Sequence, residues 1–123
     1  MDAENNSQNE QMEYKFMGLC LNTNLRKVFV NNTPVKLTFI DYNILLYLMQ
    51  NANKCVSRDE IFKSIWGYSF NYRTQSDESL LNTHISVIRN KLAKVDKKAS
   101  KYIITEKCFG YRLGEDFFSD EKE

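Results

Sequence analysis

Apolar positions recur along this chain with two different periods, and the changes of period divide it into elements. From Tyr14 to Leu21 and again from Leu25 to Val30, aromatic and aliphatic residues alternate with polar ones, as half-buried strands do. Asn31-Asn32-Thr33-Pro34 is a cluster of turn residues ahead of Val35 to Leu37. A small antiparallel meander is therefore expected first. In LTFIDYNILLYLMQNA the period changes to that of a helix: Tyr42, Leu45, Leu48, Met49 and Ala52 share one face, with Thr38 as the N-cap. Ser57-Arg58-Asp59-Glu60 precedes Ile61, Phe62, Ile65 and Trp66, a capping box in which Ser57 and Glu60 each satisfy an exposed backbone donor.

Gly67 to Ser76 breaks the helical pattern and carries Tyr68, Phe70 and Tyr72 among small and polar residues, too aromatic for a passive linker. A third helix is expected from about Asp77 or Glu78 to Lys94, with Leu81, Ile85, Ile88 and Leu92 as its core-facing stripe. A Lys-rich connection, Val95 to Lys101, leads to alternating Tyr102–Thr105, a turn containing Gly110, and Tyr111–Leu113, which read as a closing hairpin. The order is sheet, three helices, hairpin.

Charge alters this picture only when divided along the chain, because the net charge is just +1. Residues 1–13 carry Asp2, Glu4, Glu10 and Glu13, and residues 114–123 carry five acids with Lys122, so each end stands at −4 and residues 14–113 at +9. The polar first segment has nothing to bury and is expected to be a disordered tail or linker; 114–123 reads as an acidic tail. One domain is left, 14–113. Between 79 and 112, eight Lys or Arg face only Asp96 and Glu106, the footprint of a polyanion partner, although a solvated basic face has the same composition.

Length and composition exclude several classes. At 123 residues with 42% apolar content, one domain can bury a core without a metal or disulfide staple. Cys20, Cys55 and Cys108 form no CxxC pair, a single histidine offers no zinc set, and scattered cysteines fit a reducing compartment. No run approaches the roughly 18 apolar residues of a membrane span, and no export signal is visible, so the chain is expected to be cytoplasmic, with no membrane partner. There is no phosphate-cradling glycine loop, no nucleophile beside His84 and no paired carboxylates in a catalytic motif. An enzyme is not expected, nor a cofactor or a small-molecule substrate.

Three blocks resemble the DNA-binding output domain of OmpR/PhoB-type response regulators of two-component systems. LTFIDYNILLYLMQNANKCVSRDEIFKSIWG, residues 37–67, is similar to the family's first two helices. LLNTHISVIRNKL, residues 80–92, is similar to its recognition helix, and ITEKCFGYRL, residues 104–113, to its wing. The resemblance implies an α+β winged helix-turn-helix with an N-terminal antiparallel sheet, three helices and a C-terminal hairpin wing. It also implies sequence-specific binding of double-stranded promoter DNA in transcriptional regulation, the third helix in the major groove and the wing near the minor groove. A protein-interaction module on the same fold, without direct DNA readout, is the alternative.

With the apolar stripe inward, the third helix should present Thr83, Ser86, Val87 and Asn90, flanked by Asn82 and Arg89 on one side and His84 and Lys91 on the other. By resemblance, His84 and Arg89 would contact DNA backbone or bases, and Asn82, Thr83, Ser86 and Val87 would lie nearest the base edges. Arg58 and Trp66 would touch phosphates, Trp66 being largely packed with its indole N–H available. Ser79, Lys91, Thr105, Lys107, Tyr111 and Arg112 complete the implied DNA-binding set. The loop containing Tyr68, Phe70 and Tyr72 corresponds to one that contacts RNA polymerase in some members; the three rings would either serve a partner or fold back on the domain.

This chain departs from the family in the third helix and in the wing. Asn82 stands where Asp is frequent, and Val87 where Arg is common, which favours thymine methyl groups and an A·T-leaning site unless Val87 packs against the loop or wing. Lys107 replaces the Arg that enters the minor groove, and Cys108 the first glycine of the wing turn; if that position needs positive φ, either Cys108 is strained or the turn is rebuilt. A receiver domain is missing from the sequence, so the chain reads as a fragment or a stand-alone regulator that gains avidity as a tandem dimer on paired half-sites.

Overall fold

Left-handed residues fold the N-terminal segment into a meander. In the computed structural model, which describes residues 12–67 and 75–115, β1 (Glu13–Phe16), β2 (Leu19–Asn22), β3 (Lys27–Val30) and β4 (Thr33–Val35) pair antiparallel in chain order. Asn31 and Asn32 have φ of 50° and 69°, the two-residue turn whose twist suits a hairpin. The single run expected from Tyr14 to Leu21 is two strands, turned at Met17 (φ 56°) and Gly18. Methionine reads as a strand residue, which hides the break. Thr33 and Pro34 belong to β4 instead of the turn; Pro34 is tolerated because β4 is an edge strand.

The meander buries Leu19, Leu21, Val28 and Val30 beneath α1 (Phe39–Gln50). Thr38 caps α1, its hydroxyl accepting from Asp41 N at 3.3 Å. The buried face includes the expected Tyr42, Leu45, Leu48 and Met49, with Ile44 and Asp41 in addition, whereas Ala52 falls beyond the helix and is half-buried. After β5 (Cys55–Ser57), α2 (Arg58–Trp66) opens with the expected capping box: Ser57 Oγ accepts from Glu60 N (3.0 Å), and Ser57 N donates to Glu60 Oε1 (2.8 Å). Gly67, at φ 82°, closes it.

Helix α3 (Gln75–Ala93) starts two to three residues before the expected boundary, and its stripe of Leu81, Ile85, Ile88 and Leu92 is at most 1% exposed. The Lys-rich connection contains one further short helix, α4 (Lys97–Ser100), capped by Asp96. Asn31 Nδ2 donates to Asp96 at 2.9 Å, which holds that carboxyl below its usual range and ties the meander to α4. The wing is β6 (Ile103–Glu106) and β7 (Gly110–Leu113), and β7 also pairs with β5 to give the sheet order β5-β7-β6. Strand β5 was not expected, since three residues with one buried side chain, Val56, carry no readable period.

The wing turn realises the strain foreseen for its cysteine. Phe109 N donates to Glu106 O at 2.9 Å across a turn in which Cys108 has φ 65°. A Cβ in this region costs about 1–2 kcal/mol, part of which glycine returns by loosening the unfolded chain. Cys108→Gly is expected to stabilise the domain by about 0.5 kcal/mol, raising the thermal midpoint by a few degrees. Cys108→Ala should leave the midpoint unchanged; an equal rise there would show that the sulfur, and not the backbone, is responsible.

Candidate nucleic-acid interface

Among the described side chains of α3, residues 79–93, the face opposite the core carries no charge. Opposite the buried stripe lie Ser79, Asn82, Thr83, Ser86 and Asn90, all exposed and all small hydrogen-bonding side chains, while Val87 is half-buried beside them. Of the groups that helical projection puts on the flanks, Arg89 and His84 turn inward. Arg89 Nε and Nη2 donate to Ile103 O (3.1 and 2.7 Å), and Nη2 also to Thr105 Oγ1 (2.9 Å), clasping α3 to β6. Burial lowers the Arg89 pKa from its ordinary value, and the Tyr111 phenol opposes that shift.

His84 Nδ1 donates to Asp41 Oδ1 at 2.6 Å, with Asp41 only 2% exposed. The His84 ring lies 5.8 Å from that of Trp66, which itself packs at 4.6 Å on Phe62. This group is the joint between α1, α2 and α3. Asp41 was missed as a functional position because an acid in a helix's first turn is ordinarily read as a partner of the helix dipole.

A second cluster gathers where α2, α3 and the wing meet. Tyr111 is 3% exposed, and its hydroxyl donates to Asn82 Oδ1 at 2.6 Å. Its ring centre lies 5.3 Å from the Arg58 guanidinium carbon and 5.9 Å from that of Arg89. Gly110 makes the junction possible. A Cβ there would overlap the Val56 carbonyl oxygen and lie 2.9 Å from Ser57 Cα and 3.0 Å from Arg58 N. Beyond it the hairpin tip exposes Lys107, Cys108 and Phe109. Arg112 Nε pairs with Glu106 Oε2 at 2.6 Å, bracing β7 against β6.

Residues 32–113 match the family described as transcriptional regulatory protein, C terminal. The chain belongs to this family. As an OmpR/PhoB-type winged-helix domain it is a transcription-regulatory DNA-binding domain and not an enzyme. It is 35% identical over 97 residues to an uncharacterized transcriptional regulatory protein, YclJ, of Bacillus subtilis, the match spanning 78% of this chain and 40% of that protein. To the transcriptional regulatory protein SrrA of Staphylococcus aureus it is 31% identical over 99 residues, spanning 80% of this chain and 39% of that one. The chain thus covers about two fifths of these relatives' length.

Among solved structures, the Klebsiella pneumoniae RstA DNA-binding domain in complex with the RstA box is 25% identical. It superimposes with a TM-score of 0.69 over 83% of this chain and 96% of that one. The DNA-binding domain of CpxR from E. coli shares the fold, with 24% identity and a TM-score of 0.70 over 84% and 96% of the two chains.

Within this family domain, the expected site residues sort into distinct places. Ser79, Asn82, Thr83 and Ser86 share the exposed face of α3, and Lys107 stands exposed at the wing tip. Arg58 lies over Tyr111 at the start of α2. Trp66 is half-buried and packed, as expected. The expectation that Tyr111 lies at the contact surface is corrected by its burial: the ring joins the core, and its hydroxyl donates to Asn82 on the exposed face. His84, Arg89, Thr105 and Arg112 are engaged in contacts that hold elements together. Lys91 shares a groove with Pro34, Val35, Lys36, Lys94 and Val95. Tyr68, Phe70 and Tyr72 lie outside the described residues. No helix among the described residues is long and apolar enough to cross a membrane.

Proposed function

We propose that this domain binds double-stranded promoter DNA with α3 in the major groove and the β6–β7 hairpin over the adjacent minor groove. The observation that carries the reading is the uncharged face Ser79, Asn82, Thr83, Ser86 and Asn90, opposite a fully buried stripe. Small amide and hydroxyl side chains approach base edges without the desolvation cost of a charge, and each offers donors or acceptors to the groove. Phosphate neutralisation falls to residues beside that face, with Arg58 at the start of α2 and Lys107 at the wing tip. The RstA domain, solved with its box, and the AdeR domain, solved with an intercistronic region, are relatives of the same fold. The working context is a cytoplasmic regulator, two copies gaining avidity on tandem half-sites and the 67–76 segment facing RNA polymerase.

Fluorescence anisotropy of a labelled mixed-sequence duplex, titrated across a salt series, tests this. Affinity should fall linearly with salt on logarithmic axes, and Arg58→Ala and Lys107→Ala should each reduce the slope by about one. Because Arg89 is clasped to the wing, its loss should act through stability and not through the slope alone. Absence of binding even at low salt would overturn groove docking in favour of a protein partner.

A further inference from the structure

We infer that Tyr111 orients the Asn82 amide so that its nitrogen faces the DNA, making Asn82 an outward hydrogen-bond donor and Tyr111 a positioning residue for sequence readout. The inference rests on the groove docking proposed above and goes beyond it by giving one side chain a chemical polarity. An asparagine amide has two unlike ends, an acceptor oxygen and a nitrogen with two donors, and a freely rotating amide presents either. Here the oxygen is held at 2.6 Å by the hydroxyl of a tyrosine that is 3% exposed. The inner end is therefore anchored in a part of the molecule that does not move with solvent, while Asn82 itself stands on the exposed face of α3.

Electrostatics favour the same direction. The Tyr111 ring is flanked by the guanidiniums of Arg58 and Arg89, at 5.3 and 5.9 Å. Two cations beside a phenol polarise its O–H as a donor and disfavour turning the positive amide nitrogen inward toward them. The outward NH2 then suits acceptors: N7 or O6 of guanine, N7 of adenine, O4 of thymine. It does not suit the exocyclic amine of cytosine, itself a donor. The wing thus takes part in major-groove readout through a core residue, without touching the DNA at that point.

Selection from a random duplex library, with the wild type, Tyr111→Phe and Asn82→Asp carried in parallel, tests this. The wild type should enrich a purine or thymine at one position contacted by the start of α3. Tyr111→Phe keeps the ring but frees the amide, so discrimination at that position should fall by about tenfold while salt-dependent affinity for mixed DNA holds. Asn82→Asp can still accept from Tyr111 yet turns the outward end into a negative acceptor; it should lose that preference or move it to cytosine. Preferences unchanged in both variants would overturn the anchoring alone. A wild type that enriches nothing and binds no duplex at low salt would overturn the docking and the anchoring together.

Discussion

Gly110→Ala is expected to be strongly damaging, costing about 3 kcal/mol. The reason is the crossing of β7 over the β5–α2 junction and not the glycine's dihedral angle, since Gly110 does not have positive φ. The atoms that a methyl would meet are all backbone: Val56 O, Ser57 Cα and Arg58 N. None can swing aside as a flexible side chain would. Relief requires separating β7 from β5, which also disturbs Ser57, the N-cap of α2. In urea titrations the midpoint should fall steeply without a change of slope. A loss under about 1 kcal/mol would mean that the two backbones part more easily than their pairing implies.

Removal of the His84 ring is the second large effect. Asp41 is a buried carboxylate, and His84→Ala deletes the partner of its Oδ1 together with the ring beside Trp66. Breaking a fully buried pair in this way costs about 3–5 kcal/mol. The His84 side chain retains 23% exposure, so water reaches part of the pair, and about 2 kcal/mol is expected. The check is a double-mutant cycle of His84→Ala and Asp41→Ala by urea unfolding. The two single losses added together should exceed the loss in the double mutant by about 1 kcal/mol or more; strict additivity would show the two side chains to be independent.

The contrast between these residues and the easily read ones shows where local sequence carries structure. The stripe of Leu81, Ile85, Ile88 and Leu92 and the box of Ser57 and Glu60 depend on spacing within one helix, and both stand as expected. Strand β5 exists because β7, more than fifty residues later, pairs with it, so nothing in Cys55-Val56-Ser57 announces it. On α3, helical projection gives the angle at which Arg89 leaves the axis but not the reach of its long side chain, which bends to Ile103 and Thr105. The short residues Thr83, Ser86 and Asn90 have no such reach, and projection located them correctly on the exposed face. Tyr111 resembles a contact residue by motif and becomes a core residue by packing.

The Arg89 clasp also has a mechanical side. Three hydrogen bonds from one guanidinium span the gap between α3 and β6, so spreading or pinching helix and hairpin works against all three. In the docking proposed above, such a domain would be a caliper with set jaws: entry of α3 into the major groove at one place would determine where the hairpin meets the neighbouring minor groove. A duplex whose groove widths differ from that setting must itself bend or twist to fit, at an elastic cost that depends on its sequence. Stiffness in the protein would then become sequence preference at base pairs that no side chain touches.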